Sequence, residues 1–254
     1  MKFFKNYSTF NKIFFSVFLV IDIVLFLIPA IQAKSISVLF TLTSIMTFIS
    51  SLSALLMAIY NSKASAEFFV WGLTNSVSYT YITYVQSLYG QVILTAMGLL
   101  PIQIAGLYLW YKNQKENNTK IIKIKKFNKK NWITYSIVFI ISCIIYGIFI
   151  LKLSEILNYF FNITIAADDE YIIDSINAMA TLFAILLGAE RYIEQWHFWI
   201  IANTTGILLF IISFINSNSF SVSSISDAVM WLQLEINAFY GLYQWRKYLK
   251  NQQV

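Results

Sequence analysis

Eight stretches of about 20 mostly apolar residues, near 13–33, 36–60, 67–86, 90–111, 131–152, 172–190, 195–216 and 224–247, decide most of what this chain can become. A helix of about 20 residues crosses the hydrocarbon core of a bilayer. In hydrocarbon every backbone polar group must find a partner, so only helices and closed barrels can span. These runs are continuous rather than alternating, which argues against a barrel. The expected fold is an all-α integral membrane bundle of about eight transmembrane helices. Composition agrees. The chain is 58% hydrophobic and only 12% charged, where soluble domains carry about 25% charge. The missing polar surface faces lipid. Lys2, Lys5 and Lys12 before the first run give it some look of a signal peptide. It is long for one, however, and Ile31-Gln32-Ala33 is a poor cleavage site.

The charges orient the bundle. With the N-terminus inside, the N-terminus, 61–66, 112–130, 191–194 and the C-terminus hold 16 of the 18 lysines and arginines. Only Lys34 and Lys152 fall on the other side. That asymmetry predicts cytoplasmic N- and C-termini in a multi-pass protein. Lys, Asn and Ile richness suggests a bacterial source, hence the inner (plasma) membrane. Eight lysines lie between Lys112 and Lys130. They read as a solvated loop near anionic lipid, with no nucleic-acid partner. The outer connection 153–171 is acidic, with Glu155, Asp168, Asp169 and Glu170.

Several chemistries are excluded. One cysteine (Cys143) and one histidine (His197) cannot build Cys-rich or His-cluster metal sites. No HExxH, GxSxG or phosphate-loop pattern is present, and no histidine is placed to activate a serine. Neither an enzyme nor a cofactor is expected.

The two halves resemble each other. Trp71-x-x-x-Asn75 matches Trp199-x-x-x-Asn203 at an offset of 128, which also aligns Lys63 with Arg191 and Phe68 with Trp196. Gly106-Leu-Tyr-x-Trp110 matches Gly241-Leu-Tyr-x-Trp245 at 135. A three-helix unit reverses direction, so parallel copies need a linker helix between them. The expected organisation is an extra N-terminal helix (1–35), a first repeat (36–111), a basic loop with linker helix (112–152), and a second repeat with the outer loop and C-terminus (153–254). Parallel repeats are a transporter plan with the substrate site between the copies.

Two segments carry a family resemblance. The first runs Trp71-Gly-Leu-Thr-Asn75, Tyr89-Gly90 and Pro101-Ile-Gln103-Ile-Ala-Gly106-Leu-Tyr-Leu-Trp110. The second runs Gln195-Trp196-His-Phe-Trp199-Ile-Ile-Ala-Asn203 and Asn237-Ala-Phe-Tyr240-Gly241-Leu-Tyr-Gln-Trp245. Over about 36–250 the chain resembles the PnuC transporters, which are similar to duplicated SWEET halves. The resemblance implies facilitated diffusion of nicotinamide riboside, with trapping by a cytosolic kinase. It also points to a homotrimer. Relatives carry thiamine, riboflavin or deoxynucleosides, and Ile102 stands where the family often has an aromatic, so other cargoes stay open. A non-transporting binding subunit or an intramembrane enzyme are remoter alternatives.

Such a cargo needs aromatic faces for a flat cationic ring and amides for hydroxyls. Trp196, Trp199 and Asn203 share a helix stripe, with Gln195 four before Trp199. Trp71 and Asn75 are their motif counterparts. Gln103, Asn237, Tyr240 and the mid-span carboxylate Glu235 complete the candidate set. The alternatives are interface placement for the tryptophans and interhelical bonds for the amides. Tyr79 continues the Trp71–Asn75 face. His197 points away from the tryptophan stripe, towards a structural role. Asp174 and Asp227 read as solvated or capping residues. Asp22, mid-span in the extra helix, is left unassigned.

Overall fold

The computed structural model describes residues 7–116, 122–217 and 222–252. Lys2, Lys5 and Lys120 lie outside them, as does the side chain of Asp227. Among the described residues nine α-helices form: α1 (Thr9–Ala33), α2 (Leu42–Ser62), α3 (Glu67–Val85), α4 (Tyr89–Ile93), α5 (Leu100–Glu116), α6 (Lys129–Phe161), α7 (Tyr171–Ala189), α8 (Gln195–Ser217) and α9 (Val222–Asn251). A π-helical turn, Leu94–Leu99, joins α4 and α5 into one rod. Pro101 lies just beyond it and has no N–H to give the preceding turn, which favours a widened turn there. The outcome is the all-helical membrane bundle expected from the apolar runs. Six of the eight rods are long and apolar enough by themselves to cross a bilayer. The other two, α3 and α9, are 19 and 30 residues long and bury polar groups such as Ser76, Thr83, Gln233 and Asn237 against protein.

Two boundaries differ from the sequence reading. Residues 36–40 form a 3-10 turn, and α2 starts only after Thr41, whose hydroxyl caps Ser44 N–H at 3.2 Å. The fifth rod, α6, runs on to Phe161, so the outer connection is shorter than expected. The basic loop is also not simply solvated. Ile122, Ile124 and Phe127 are buried, and the segment straps the α7–α8 turn: Lys125 N–H donates to the Arg191 carbonyl (2.9 Å) and Ile193 N–H to that of Lys125 (3.0 Å). Glu194 Oε1 accepts from Phe127 N–H at 3.0 Å. Burial pushes the Glu194 carboxyl above its ordinary range, against the pull of that bond.

The helix packing is reciprocal. α2 packs on α3 and α7 on α8; α3 packs on α5 and α8 on α9; α2 packs on α9 and α5 on α7; α1 lies on α2 as α6 lies on α7. Near the basic end, Trp110 Nε1 donates to the Gly188 carbonyl (2.9 Å) and Trp245 Nε1 to that of Asn61 (2.8 Å). A Cβ on Gly106 would meet Phe69 at 2.3 Å, and one on Gly241 would meet Trp196 at 2.1 Å. Asn75 Nδ2 donates to the Ser50 carbonyl (2.9 Å), and Asn177 Nδ2 to that of Ala202 (2.6 Å). Each pair is matched at a spacing of 127 through α2–α3 and α7–α8, one residue short of the 128 read from the Trp-x-x-x-Asn strings. By contact, Trp199 therefore corresponds to Gly72, Asn203 to Ser76, and Trp196 to Phe69.

Candidate functional site

Two cavities lie one helical turn apart. The inner one, toward the basic end, is about 10 Å³ and is walled by Met57, Phe68, Trp196 and Trp199, with Asn61, Asn203 and Asn237 supplying amides. The outer one is a vestibule of about 460 Å³ toward the acidic end. On α8, Asn203 faces the inner cavity and Gly206 the outer; on α9, Leu234 faces the inner and Trp231 the outer. Three residues of helix rise about 4.5 Å. Trp231 packs against Gly206 on the outer cavity's wall, where a Cβ would stand 2.3 Å from the indole.

The inner cavity is short of hydrogen bonds. Asn203 is 1% exposed, and neither its Nδ2 nor its Oδ1 has a partner. It lies beside the Glu235 carboxyl without meeting hydrogen-bond geometry. Asn237 Nδ2 donates to the Ala58 carbonyl (2.9 Å), and Asn61 Nδ2 to Gln195 Oε1 (3.2 Å). Both asparagines keep an Oδ1 without a partner, as do the indole N–H groups of Trp196 and Trp199. Buried amides left in this condition cost about 1–3 kcal/mol each. A cavity of this size holds at most one water. The lining is thus a set of donors and acceptors around apolar walls, the pattern of a small-molecule site.

The sequence-predicted residues divide. Trp196, Trp199, Asn203 and Asn237 line the inner cavity. Gln195 sits behind Asn61, which it holds, over the bare Gly188. Glu235 flanks the cavity and accepts from Thr204 Oγ1 at 3.2 Å. Asn75 is one shell out, on Ser50. Gln103, by contrast, lies against Gly72 and accepts from Ser76 Oγ at 3.2 Å, which is the interhelical bond that was its alternative. The two halves differ here in which helix carries the bulk. In the first, Gln103 of α5 faces Gly72; in the second, Trp199 of α8 occupies the corresponding place. Trp71 packs at the core's margin. Tyr240 leaves the site altogether: it stacks on Phe10 at 3.8 Å and bonds Ser8 and Gln244, joining α9 to α1. Interface placement is ruled out for Trp196, which is 1% exposed and packs edge-on to Trp245. His197 makes an edge contact with Trp132. Asp174 does not cap α7, whose cap position is Glu170; it faces the vestibule, as does Tyr79.

Sequence reasoning missed Asn61, Met57 and Trp231. Asn61 lies at the end of α2, in no motif. Only its bonds with Gln195 of α8 and Trp245 of α9 bring it to the site. Trp231 had a legible signal, since it stands one helical turn before Glu235, but no partner motif marked it.

The profile of the family described as nicotinamide mononucleotide transporter matches residues 44–247. A protein of Neisseria mucosa named nicotinamide riboside transporter PnuC is 22% identical over 205 residues, covering 80% of this chain and 72% of that one. A Haemophilus influenzae protein of the same name is 24% identical over 206 residues, covering 81% and 80%. A solved structure described as the vitamin B3 transporter PnuC shares the fold, with a TM-score of 0.72, 21% identity, and coverage of 97% of this chain and 94% of that one.

Proposed function

Since the chain belongs to the nicotinamide mononucleotide transporter family, we propose that it moves nicotinamide riboside across the bacterial inner membrane by facilitated diffusion. A separate cytosolic kinase then traps the product. The carrying observation is the inner cavity, where Asn203, Asn61 and Asn237 hold free hydrogen-bonding atoms between Trp196, Trp199 and Phe68. The pyridinium ring stacks on Trp199, the asparagines bond the ribose hydroxyls and carboxamide, and Glu235 lies near enough to offset the ring's charge. Ligand pockets measure about 300–1,000 Å³, so the inner cavity must open by parting of its walls, with Trp231 over Gly206 as the movable partition.

The architecture we infer is two parallel three-helix repeats, 36–111 and 153–254, joined by 112–152 and preceded by an extra helix, 1–35. The reciprocal helix contacts and the paired tryptophan bonds support it. The lysine asymmetry supports cytoplasmic termini. The outward apolar rows of α1 and α6 face lipid and, in the homotrimer inferred from the family, neighbouring copies.

The test is uptake of labelled nicotinamide riboside into liposomes holding the purified protein alone. Saturable uptake without ATP or partner supports the reading, and Trp199→Ala should abolish it while the protein still folds. Thiamine, riboflavin or a deoxynucleoside entering instead would reassign the cargo. Binding without uptake would make the chain a sensor.

A further inference from the structure

The vestibule holds a carboxylate that the inner site does not use. Asp22, near the middle of α1, is 5% exposed, lines the 460 Å³ cavity, and has an Oδ2 with no partner. Ser51 is the hydroxyl beside it. A second carboxylate, Asp174, lines the same space, and no Lys, Arg or His is among the lining residues. A carboxylate buried without a counter-charge is expensive unless it takes up a proton or a cation joins it. The walls add aromatic faces: Trp231 at the partition, and Tyr79 on α3. Aromatic faces attract cations, and more so when desolvated. Asp168, Asp169 and Glu170, just before α7, share the acidic end with Asp174 and favour entry of positive charge. The matched family region begins at residue 44, so α1 and Asp22 lie outside it.

We propose that the vestibule is a second binding site, specific for flat aromatic cations, with Asp22 as its anionic anchor and Trp231 as its stacking wall. It receives the cargo before the partition parts and passes it one helical turn inward to Trp199 and Asn203. The choice of an aromatic cation rests on the cargo proposed above. The site itself rests on Asp22 and the cavity.

The test uses equilibrium binding to the purified full-length protein, with 1-methylnicotinamide as the cationic probe and nicotinamide as its uncharged counterpart. Wild type should bind the cation at least tenfold more tightly than the neutral ring. Asp22→Asn should weaken the cation at least tenfold and leave the neutral ring unchanged, and Asp22→Glu should restore it. Trp199→Ala, which removes the inner wall, should keep the cation's binding. Equal binding of the two probes, binding untouched in Asp22→Asn, or binding lost in Trp199→Ala would each overturn the proposal. The comparison of probes on wild type stands even if Asp22→Asn fails to fold. Failed uptake of nicotinamide riboside with intact, Asp22-dependent binding of 1-methylnicotinamide would sink the cargo reading and leave the vestibule site standing.

Discussion

Replacing Asn203 by leucine separates a residue kept for binding from one kept for stability. The side chains share a branch at Cγ, leucine being the larger, and Asn203 is 1% exposed with both amide atoms lacking partners. In the unliganded protein the amide is therefore a burden. A buried group of this kind costs about 1–3 kcal/mol, so Asn203→Leu should stabilise the fold by at most that amount, less the cost of fitting the larger side chain beside a cavity of about 10 Å³. For a chain of this size that is at most about 12 °C in melting temperature, at about 2–4 °C per kcal/mol. Binding should move the opposite way. Losing one or two hydrogen bonds to a polar ligand forfeits about 1–3 kcal/mol, which is roughly a 5- to 150-fold weaker Kd at 1.4 kcal/mol per decade. The assay is thermal unfolding of purified wild type and variant, with and without nicotinamide riboside. Refutation would be a variant that melts lower than wild type, or one that melts higher yet keeps its ligand-induced shift. The first would make Asn203 structural, and the second would place the ligand elsewhere.

Other outcomes follow from single contacts. Gly241→Ala puts a Cβ 2.1 Å from the Trp196 ring, which is wedged against Trp245 and cannot turn aside; overpacking of about 1–3 kcal/mol should appear as a lower melting temperature and impaired uptake. Glu194 is raised by burial. Its contribution to stability is thus full below the ordinary glutamate range of about 4.3 and is lost as pH climbs through the raised value. Melting temperatures of wild type and Glu194→Gln across pH should show wild type's advantage only on the acid side; a gap independent of pH would refute this. In a Cys143→Ser background, cysteines at the exposed Lys123 and Lys126 should label from the cytoplasmic side only, while cysteines at the buried Ile122 and Ile124 should label poorly from either. Labelling of 123 or 126 from outside would overturn the topology.

Much of the fold was legible because a membrane imposes a coarse rule. Twenty apolar residues must become a helix, so the rods and the basic end could be read residue by residue. Trp199, Asn203 and Asn237 were also legible, because polar and aromatic residues in hydrocarbon need a reason to be there. Spacing within one helix could not say which element faces which. Gln103 and Tyr240 carry hydrogen-bonding side chains within spans as Asn203 does, yet one closes on Ser76 and Gly72 and the other on Phe10 and Ser8. The register of the two halves shows the same limit. Motif matching aligned Trp71 with Trp199, whereas the indole bonds and bare glycines set the spacing one residue shorter. On a helix one residue is about 100° of rotation, enough to move a side chain from cavity to core. The sequence by itself determined the solvent, the helices and the chemistry available. Only tertiary packing decided that Asn61, Asn203 and Asn237 meet, and that Asp22 opens on a vestibule rather than lipid. Those facts depend on contacts between segments as much as 184 residues apart, which no local pattern encodes.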